Sequence, residues 1–232
     1  MNNARYKLLL FDLDYTLWDF ETNARGAIYD IYISLHLAER IPHFDLFYDT
    51  YERHNKRLWM EYEARQVTKE QLRTLRFHLT LQDFGIDDHT IADYFGHTYT
   101  ALSPHKTALF PNVPEVLAYL HTKYEMAIVT NGFAEVQHTK IATCGLEKFF
   151  KRIFISEEVG YAKPHPRIFQ AAVTAFNATK QQTIMIGDNW YNDIDGARRY
   201  GIDQVFFNPE NRISYGQATY EIQRIEELTA FL

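Results

Sequence analysis

The chain has 232 residues, 46% hydrophobic, 16% aromatic and 23% charged, with a formal net charge of −6. This balance excludes a disordered tail or a collagen-like rod, and the length suits one large domain or one domain carrying a smaller insert. The acidic balance leaves no electrostatic footprint for a nucleic-acid polymer. No purely apolar run approaches the roughly 18 to 20 residues that cross a bilayer, so no membrane partner is expected. The start, MNNARYK, meets a short apolar run with no small-residue cleavage site after it, so a secretory signal peptide is not expected. The single cysteine, Cys144, allows no intrachain disulfide, which leaves the cytoplasm as the expected location. Ten histidines form neither HExxH nor a Cys/His cluster in sequence, so zinc is not expected.

In chain order, Lys7-Leu8-Leu9-Leu10-Phe11 is a short apolar run that predicts a buried strand, and it ends in Asp12-Leu13-Asp14-Tyr15-Thr16. The texture then changes over residues 18–103, which are rich in aromatic, charged and long side chains and hold one proline, Pro42. Within it Thr68 can cap a helix reaching Phe84, with Leu72, Leu75, Leu79 and Gln82 three to four residues apart. This zone reads as a compact insert of roughly three to five helices. From Ala108 onward strand-like and helix-like runs alternate. Met126–Val129, Arg152–Ile155, Thr183–Ile186 and Gln204–Phe207 read as strands. Phe133, Val136, Ile141 and Cys144 mark one face of a helix closed by Gly145, and Asp193–Tyr200 closed by Gly201 reads the same way. The alternation predicts an α/β fold with a doubly wound parallel sheet. Its Rossmann-like core takes residues 1–17 and 104–232, with the all-helical insert, 18–103, placed after the first strand.

In such a sheet, ligands bind beyond the carboxyl ends of the strands. Asp12, Asp14, Thr130, Asn131, Lys163, Asp188 and Asp193 all follow a predicted strand, so the topology gathers them at one cleft. Crowded carboxylates need a cation, and an all-oxygen donor set suggests Mg²⁺. A threonine hydroxyl, loop N–H groups and a lysine suit a phosphate. An aspartate beside the cation can be the nucleophile of phosphoryl transfer, and a carboxylate two residues on can protonate the leaving oxygen. Singly, each piece has an ordinary structural reading. D-x-D-x-T arises by chance, Asn131-Gly132 can form a hairpin turn, Lys163-Pro164 a surface loop, and Asp188 a helix cap. Their joint occurrence, in order and after four apolar runs, carries the functional reading. Cys144 reads as a small apolar filler, His165 as a surface helix-start residue and Asp195 as a first-turn helix acid.

Asp12-Leu13-Asp14-Tyr15-Thr16, Thr130-Asn131-Gly132, Lys163-Pro164 and Gly187-Asp188 with Asp193 resemble the four motifs of the haloacid dehalogenase (HAD) superfamily of aspartate-nucleophile phosphohydrolases. Order, spacing and strand context agree over essentially the whole chain, and the insert is similar to that superfamily's C1-type helical cap. The resemblance implies that Asp12 forms an aspartyl-phosphate and that Asp14 is the general acid/base. Asp12, Asp14 (through its backbone carbonyl) and Asp188 would bind Mg²⁺, with Asp193 supporting the metal shell through water or Lys163. Thr130 and the N–H groups of Asn131 and Gly132 would grip the phosphate, Lys163 would stabilise charge on nucleophile and phosphoryl oxygens, and Thr16 would support the loop.

Asn55–Trp59 with Tyr62, Thr130–Phe133 and Ser156–Pro164 look like bacterial pyrimidine 5′-nucleotidases of the YjjG type. That resemblance implies a small-molecule partner, a pyrimidine nucleoside monophosphate. Trp18, Phe20, Trp59 and Tyr62 are candidates to offer a base a flat face, while Trp59 and Tyr62, three apart on a helix, equally suit packing within the insert. Phosphatases for a sugar phosphate, FMN or phosphoglycolate, and a phosphomutase, stay open as alternatives. Haloacid dehalogenases lack the second acid that Asp14 provides. A phospho-acceptor receiver domain, of roughly 120 residues, has no use for the insert. A catalytically dead scaffold predicts loss of Asp12 or Asp14, and both are present. The sequence pattern points to no particular oligomeric state.

Overall fold

Leu8–Phe11 has no polar side chain and every residue in it is buried, so both faces of this strand must be covered. The computed structural model, which describes residues 5–213 and 216–232, shows how. The strands are β1 (Leu8–Phe11), β2 (Glu125–Thr130), β3 (Arg152–Ile155), β4 (Thr183–Gly187), β5 (Asp203–Phe207) and β6 (Tyr220–Ile222). They form one sheet in the order β3-β2-β1-β4-β5-β6, and every neighbouring pair is parallel. The chain runs from β1 out to β3, then crosses back to β4 on the other side of β1. That reversal is a topological switch point, where a crevice opens at the carboxyl ends of the strands. Phe11 registers with Ile128 on one side and Ile186 on the other. Asp12 therefore leaves the sheet beside Gly187, and its N–H donates to the Ile186 carbonyl at 2.9 Å. The three-residue β6 carries no apolar run for a sequence pattern to detect.

The chain divides into two compact units, Met1–Phe20 with Thr107–Leu232, and Glu21–Lys106. The boundaries fall after Phe20 and Lys106 rather than after Leu17 and Ser103. The second unit is built from α1 (Phe20–Ser34), α2 (Phe44–Glu63), α3 (Lys69–Asp83) and α4 (His89–Leu102). Thr68 caps α3 as its sequence suggests. Its hydroxyl accepts from the Gln71 N–H at 3.2 Å, and the Gln71 side chain accepts from the Thr68 N–H at 2.8 Å. The buried face of α3, however, is not the predicted leucine stripe. Leu72, Arg76, Phe77, Thr80 and Leu81 are buried, while Leu75 and Leu79 are only partly so and Gln82 is exposed.

The aromatic core of the helical unit explains this rotation. Phe77 stacks on Phe95 at 4.4 Å and on Tyr51 at 5.1 Å. Arg76 donates to Asn55 Oδ1 at 3.0 Å, and its guanidinium lies 4.8 Å from the Tyr99 ring centroid. Asp87 lies 3.7 Å from His78 Nε2, and the His78 and His89 rings stack at 4.0 Å. A ring nitrogen of His78, a ring nitrogen of His89 and a carboxylate oxygen of Asp87 lie within 4.8 Å of one another.

In the first unit α5 (Val113–His121), α6 (Ala134–Thr143), α7 (Ser156–Val159), α8 (Pro166–Ala175) and α9 (Gly196–Tyr200) complete the set. Alternate residues of β1 feed two cores. Leu9 and Phe11 pack with Val113, Val116, Leu117 and Leu120 of α5, while Leu8 and Leu10 pack with Ile168, Phe169 and Ala172 of α8 and Ala197 of α9. Gly145 ends α6 at φ +63°, a left-handed turn that favours glycine. Among the described residues no helix is long and apolar enough to cross a membrane.

The helices α3 and α4 approach each other at Gly96, where a Cβ would lie 2.6 Å from the Arg73 carbonyl oxygen. Gly96→Ala should therefore destabilise the helical unit by about 1–3 kcal/mol through overpacking. Urea unfolding checks this: an unchanged midpoint would show that the two helices can separate freely.

Candidate active site

The loop after β1 is closed by its own backbone. The Leu13 carbonyl accepts from the N–H groups of Leu17 and Trp18, both at 2.9 Å, and Tyr15 sits at φ +62° with its N–H on the Trp18 carbonyl. Tyr15 stacks on Phe20 at 4.6 Å. The loop fixes Asp12, Asp14 and Thr16 in place. Thr16 is fully buried, and its hydroxyl donates to Asp188 Oδ1 at 3.3 Å. It thus reaches into the site as well as supporting the loop.

Lys163 is the electrostatic centre. Its ammonium lies 2.7 Å from Asp12 Oδ1 and 2.7 Å from Asp193 Oδ1, and the residue is 3% exposed. Burial alone would lower this ammonium, but Asp12 and Asp193 outweigh it and hold it above its ordinary value. Asp12, Asp188 and Asp193 are all buried, with carboxylate oxygens within 4.8 Å of one another. Burial pushes the carboxyl groups of Asp12 and Asp188 upward. Lys163 pulls Asp12 back, while the other carboxylates push both higher. The Arg212 guanidinium stands 4.0 Å from Asp188 Oδ2. One buried ammonium against three buried carboxylates leaves negative charge in excess, and an all-oxygen set of this kind fits a hard divalent cation.

Asp193 reaches this position through a feature that the sequence did not show. A wide π-type turn, Trp190–Asp195, precedes α9, so the predicted single helix is two. The Asn189 side chain accepts from the Asn192 N–H at 2.9 Å, and Asp193 Oδ2 accepts from the Asn189 N–H at 3.0 Å. A Cβ on Gly187 would fall 2.3 Å from Asp193 Oδ2, so only glycine leaves room for this carboxylate.

Thr130 closes β2, buried, with its hydroxyl accepting from Gln137 Nε2 at 2.6 Å and from the Gly132 N–H at 3.3 Å. The Gly132 N–H is thus aimed at Thr130. Asn131 uses its side chain as a two-way clamp: Nδ2 donates to the Lys163 carbonyl at 2.9 Å, and Oδ1 accepts from the Lys163 N–H at 2.8 Å. The Ser156 hydroxyl donates to the Asn131 carbonyl at 3.3 Å. The loops carrying Thr130 and Lys163 are thereby joined.

The side chain of Asp14 does not join the carboxylate trio. Its Oδ1 pairs with Lys140 Nζ at 2.5 Å and its Oδ2 accepts from Gln137 Nε2 at 2.9 Å. Asp12 and Asp188 of the expected metal set are gathered with Asp193, and the part expected of Asp14 belongs to its backbone carbonyl rather than to this side chain. Gln137 and Lys140 escaped the sequence analysis because they are polar residues on the inner face of α6. The buried face there is Phe133, Gln137, Lys140 and Ile141, with Val136 and Cys144 only partly buried. Trp18 is likewise not a surface face for a base. It is fully buried, and Lys140 Nζ lies 3.8 Å from its ring centroid. Within α2, Trp59 and Tyr62 pack edge to face at 5.6 Å and are partly buried.

Comparison with known proteins places this geometry in context. A family model described as haloacid dehalogenase-like hydrolase matches residues 6–201. The pyrimidine 5′-nucleotidase PynA of Streptococcus pneumoniae is 29% identical over 230 residues, covering 96% of this chain and 93% of its own. The pyrimidine 5′-nucleotidase YjjG of Escherichia coli is 27% identical over 211 residues, covering 90% and 88%. The magnesium-bound HAD-hydrolase YfnB of Bacillus subtilis superposes with a TM-score of 0.88 at 28% identity, covering 97% of this chain and 98% of its own.

Removing the Asn131 side chain strips two hydrogen bonds from the Lys163 backbone. Asn131→Ala should cost about 1–3 kcal/mol of unfolding free energy, because partly buried partners are left unmade. A loss within about 0.5 kcal/mol in urea titration, the level of an ordinary surface change, would mean that the clamp does not hold the loop.

Proposed function

We propose that this chain, which belongs to the haloacid dehalogenase-like hydrolases, is a Mg²⁺-dependent phosphomonoesterase acting through an aspartyl-phosphate at Asp12, with pyrimidine nucleoside 5′-monophosphates as substrates. The observation that carries the chemistry is the buried Lys163 ammonium held between Asp12 and Asp193, with Asp188 within reach of both. The full-length similarity to PynA and YjjG supports the substrate class.

In this reading the Asp12 carboxylate attacks phosphorus while the Lys163 ammonium neutralises charge that gathers on the nucleophile and the phosphoryl oxygens. Asp12 and Asp188 would hold Mg²⁺, with Asp193 fixing Lys163 beside them. When bound, the ion supplies further positive charge for the nucleophile and the phosphoryl oxygens. The Thr130 loop orients the phosphate. Asp14 gives its proton to the leaving oxygen as the P–O bond breaks, then takes a proton from the water that cleaves the aspartyl-phosphate.

Phosphate release with Mg²⁺ present tests this across nucleoside monophosphates, sugar phosphates, FMN and phosphoglycolate. UMP, dUMP or dTMP should be preferred, and Asp12→Asn should lower turnover at least about a thousand-fold with folding retained. A preference elsewhere in the panel would keep the aspartate chemistry and discard the pyrimidine assignment. Near-normal turnover by Asp12→Asn would remove the nucleophile.

Metal binding should also depend on pH. Burial raises Asp12 from its ordinary 3.8 to about 7, and Asp188 rises as well. A raised carboxyl adds stability to the metal-free fold at low pH and loses it as pH climbs from about 4 to about 7. Protons compete with Mg²⁺ over the same window. The Mg²⁺-induced rise in melting temperature should therefore grow as pH increases toward 7 and vanish in Asp188→Asn. A constant rise between pH 5 and 8 would contradict the elevated carboxyl groups.

A further inference from the structure

We infer that Gln137 and Lys140 are positioning residues that hold Asp14 for proton transfer and couple it to the phosphate-orienting Thr130; this rests on the reading of Asp14 as the acid of a phosphomonoesterase. The two residues stand three apart on α6, so they share one face of the helix. Both are buried, Gln137 fully and Lys140 to 3% exposure. A lysine and a glutamine on a buried face need partners to offset their desolvation. Each finds one on the same carboxylate.

Both Asp14 oxygens are engaged, Oδ1 by the Lys140 ammonium at 2.5 Å and Oδ2 by Gln137 Nε2 at 2.9 Å. Two donors from a single rigid helix fix both the position and the plane of the carboxyl group. The amide nitrogen of Gln137 carries two hydrogens, and its second acceptor is Thr130 Oγ1 at 2.6 Å. One side chain therefore links the proton donor to the residue that orients the phosphate. The surroundings are shaped to keep it there. A Cβ on Gly132 would lie 2.3 Å from Gln137 Nε2, and Lys140 Nζ stands 3.8 Å above the Trp18 ring. Trp18 is in turn bridged by backbone to Asp14. The loop after β1 and the inner face of α6 thus close on the same group from two sides.

The proton balance follows. Asp14 enters the first step carrying a proton taken up from water on one oxygen, while Lys140 and Gln137 donate to its remaining lone pairs. As the bond from phosphorus to the leaving oxygen breaks, the electron pair of that bond takes this proton. The carboxylate left behind remains hydrogen-bonded to Lys140, which stays an ammonium, and to Gln137. In the second step this carboxylate takes a proton from water as the water oxygen bonds to phosphorus and the acyl-phosphate bond between phosphorus and the Asp12 oxygen breaks, releasing phosphate and restoring Asp12.

Leaving-group dependence separates this role from a merely structural one. UMP leaves as an alkoxide and needs the proton, whereas p-nitrophenyl phosphate leaves as a stable phenolate and does not. Lys140→Met should lower kcat for UMP by about a hundred-fold or more, the usual scale of general-acid catalysis, with KM within about two-fold. Single-turnover release of p-nitrophenolate should stay within about three-fold of wild type. Gln137→Met, which keeps the ion pair, should show the same selectivity at about ten-fold and covers the case in which Lys140→Met does not fold. Asp14→Asn sets the full size of the effect. Equal losses on both substrates, or an unaltered kcat for UMP, would overturn the positioning role. A wild-type protein silent on both substrates overturns the phosphatase reading and this inference with it.

Discussion

An ammonium with 3% exposure, lying 2.7 Å from each of two carboxylate oxygens, is tenable only if those carboxylates cannot move away. Taking such a charge out of water costs several kcal/mol unless it is well paired. At Lys163 the pairing draws on three separate parts of the chain. Asp12 comes from the end of β1, Asp193 from the turn after β4, and the Lys163 backbone itself is clamped by Asn131 at the end of β2. Most other features of the site serve this arrangement. The glycine at 187 admits the Asp193 carboxylate, the π-type turn aims it, and the parallel register sets Asp12 beside β4.

The same constraint separates two aspartates that are neighbours in the chain. Asp12 faces Lys163, and Asp14, two residues on, faces Lys140. Carboxylates so close in sequence acquire different roles only if their surroundings differ, and separate counter-ions provide that difference. The loop after β1 makes this possible because its tight backbone turn, with Tyr15 in the left-handed region, sends Asp12 and Asp14 to different partners. Asp12 held within the carboxylate trio and Asp14 held against α6 are thus one structural solution rather than two. The helical unit obeys a similar rule on its own. Its aromatic core keeps Arg76 inside because Asn55 and three ring faces receive the guanidinium.

Sequence periodicity located the elements well where burial and polarity agree. The apolar run at Arg152–Ile155 is a strand with the boundaries expected, and β1, β2, β4 and β5 differ only at their ends. Thr68 and Gly145 terminate their helices as capping chemistry requires. The polar clusters at strand ends converge because a parallel sheet brings all its carboxyl ends to one edge. Periodicity failed where a polar side chain has a buried partner. Gln137 and Lys140 lie on the inner face of α6, Arg76 lies on that of α3, and Trp18 is covered rather than open.

The reason is range. The chain by itself determined the segments of strands β1 to β5, which residues end helices, and which acids, hydroxyl and lysine stand at the sheet edge, since these depend on side chains within a few positions of one another. Only the tertiary structure decided which acid meets which base. Asp14 pairs with Lys140 across 126 positions, and Thr16 reaches Asp188 across 172. A local apolar pattern reports the average direction of burial. It carries no record of a distant carboxylate that makes a lysine welcome inside.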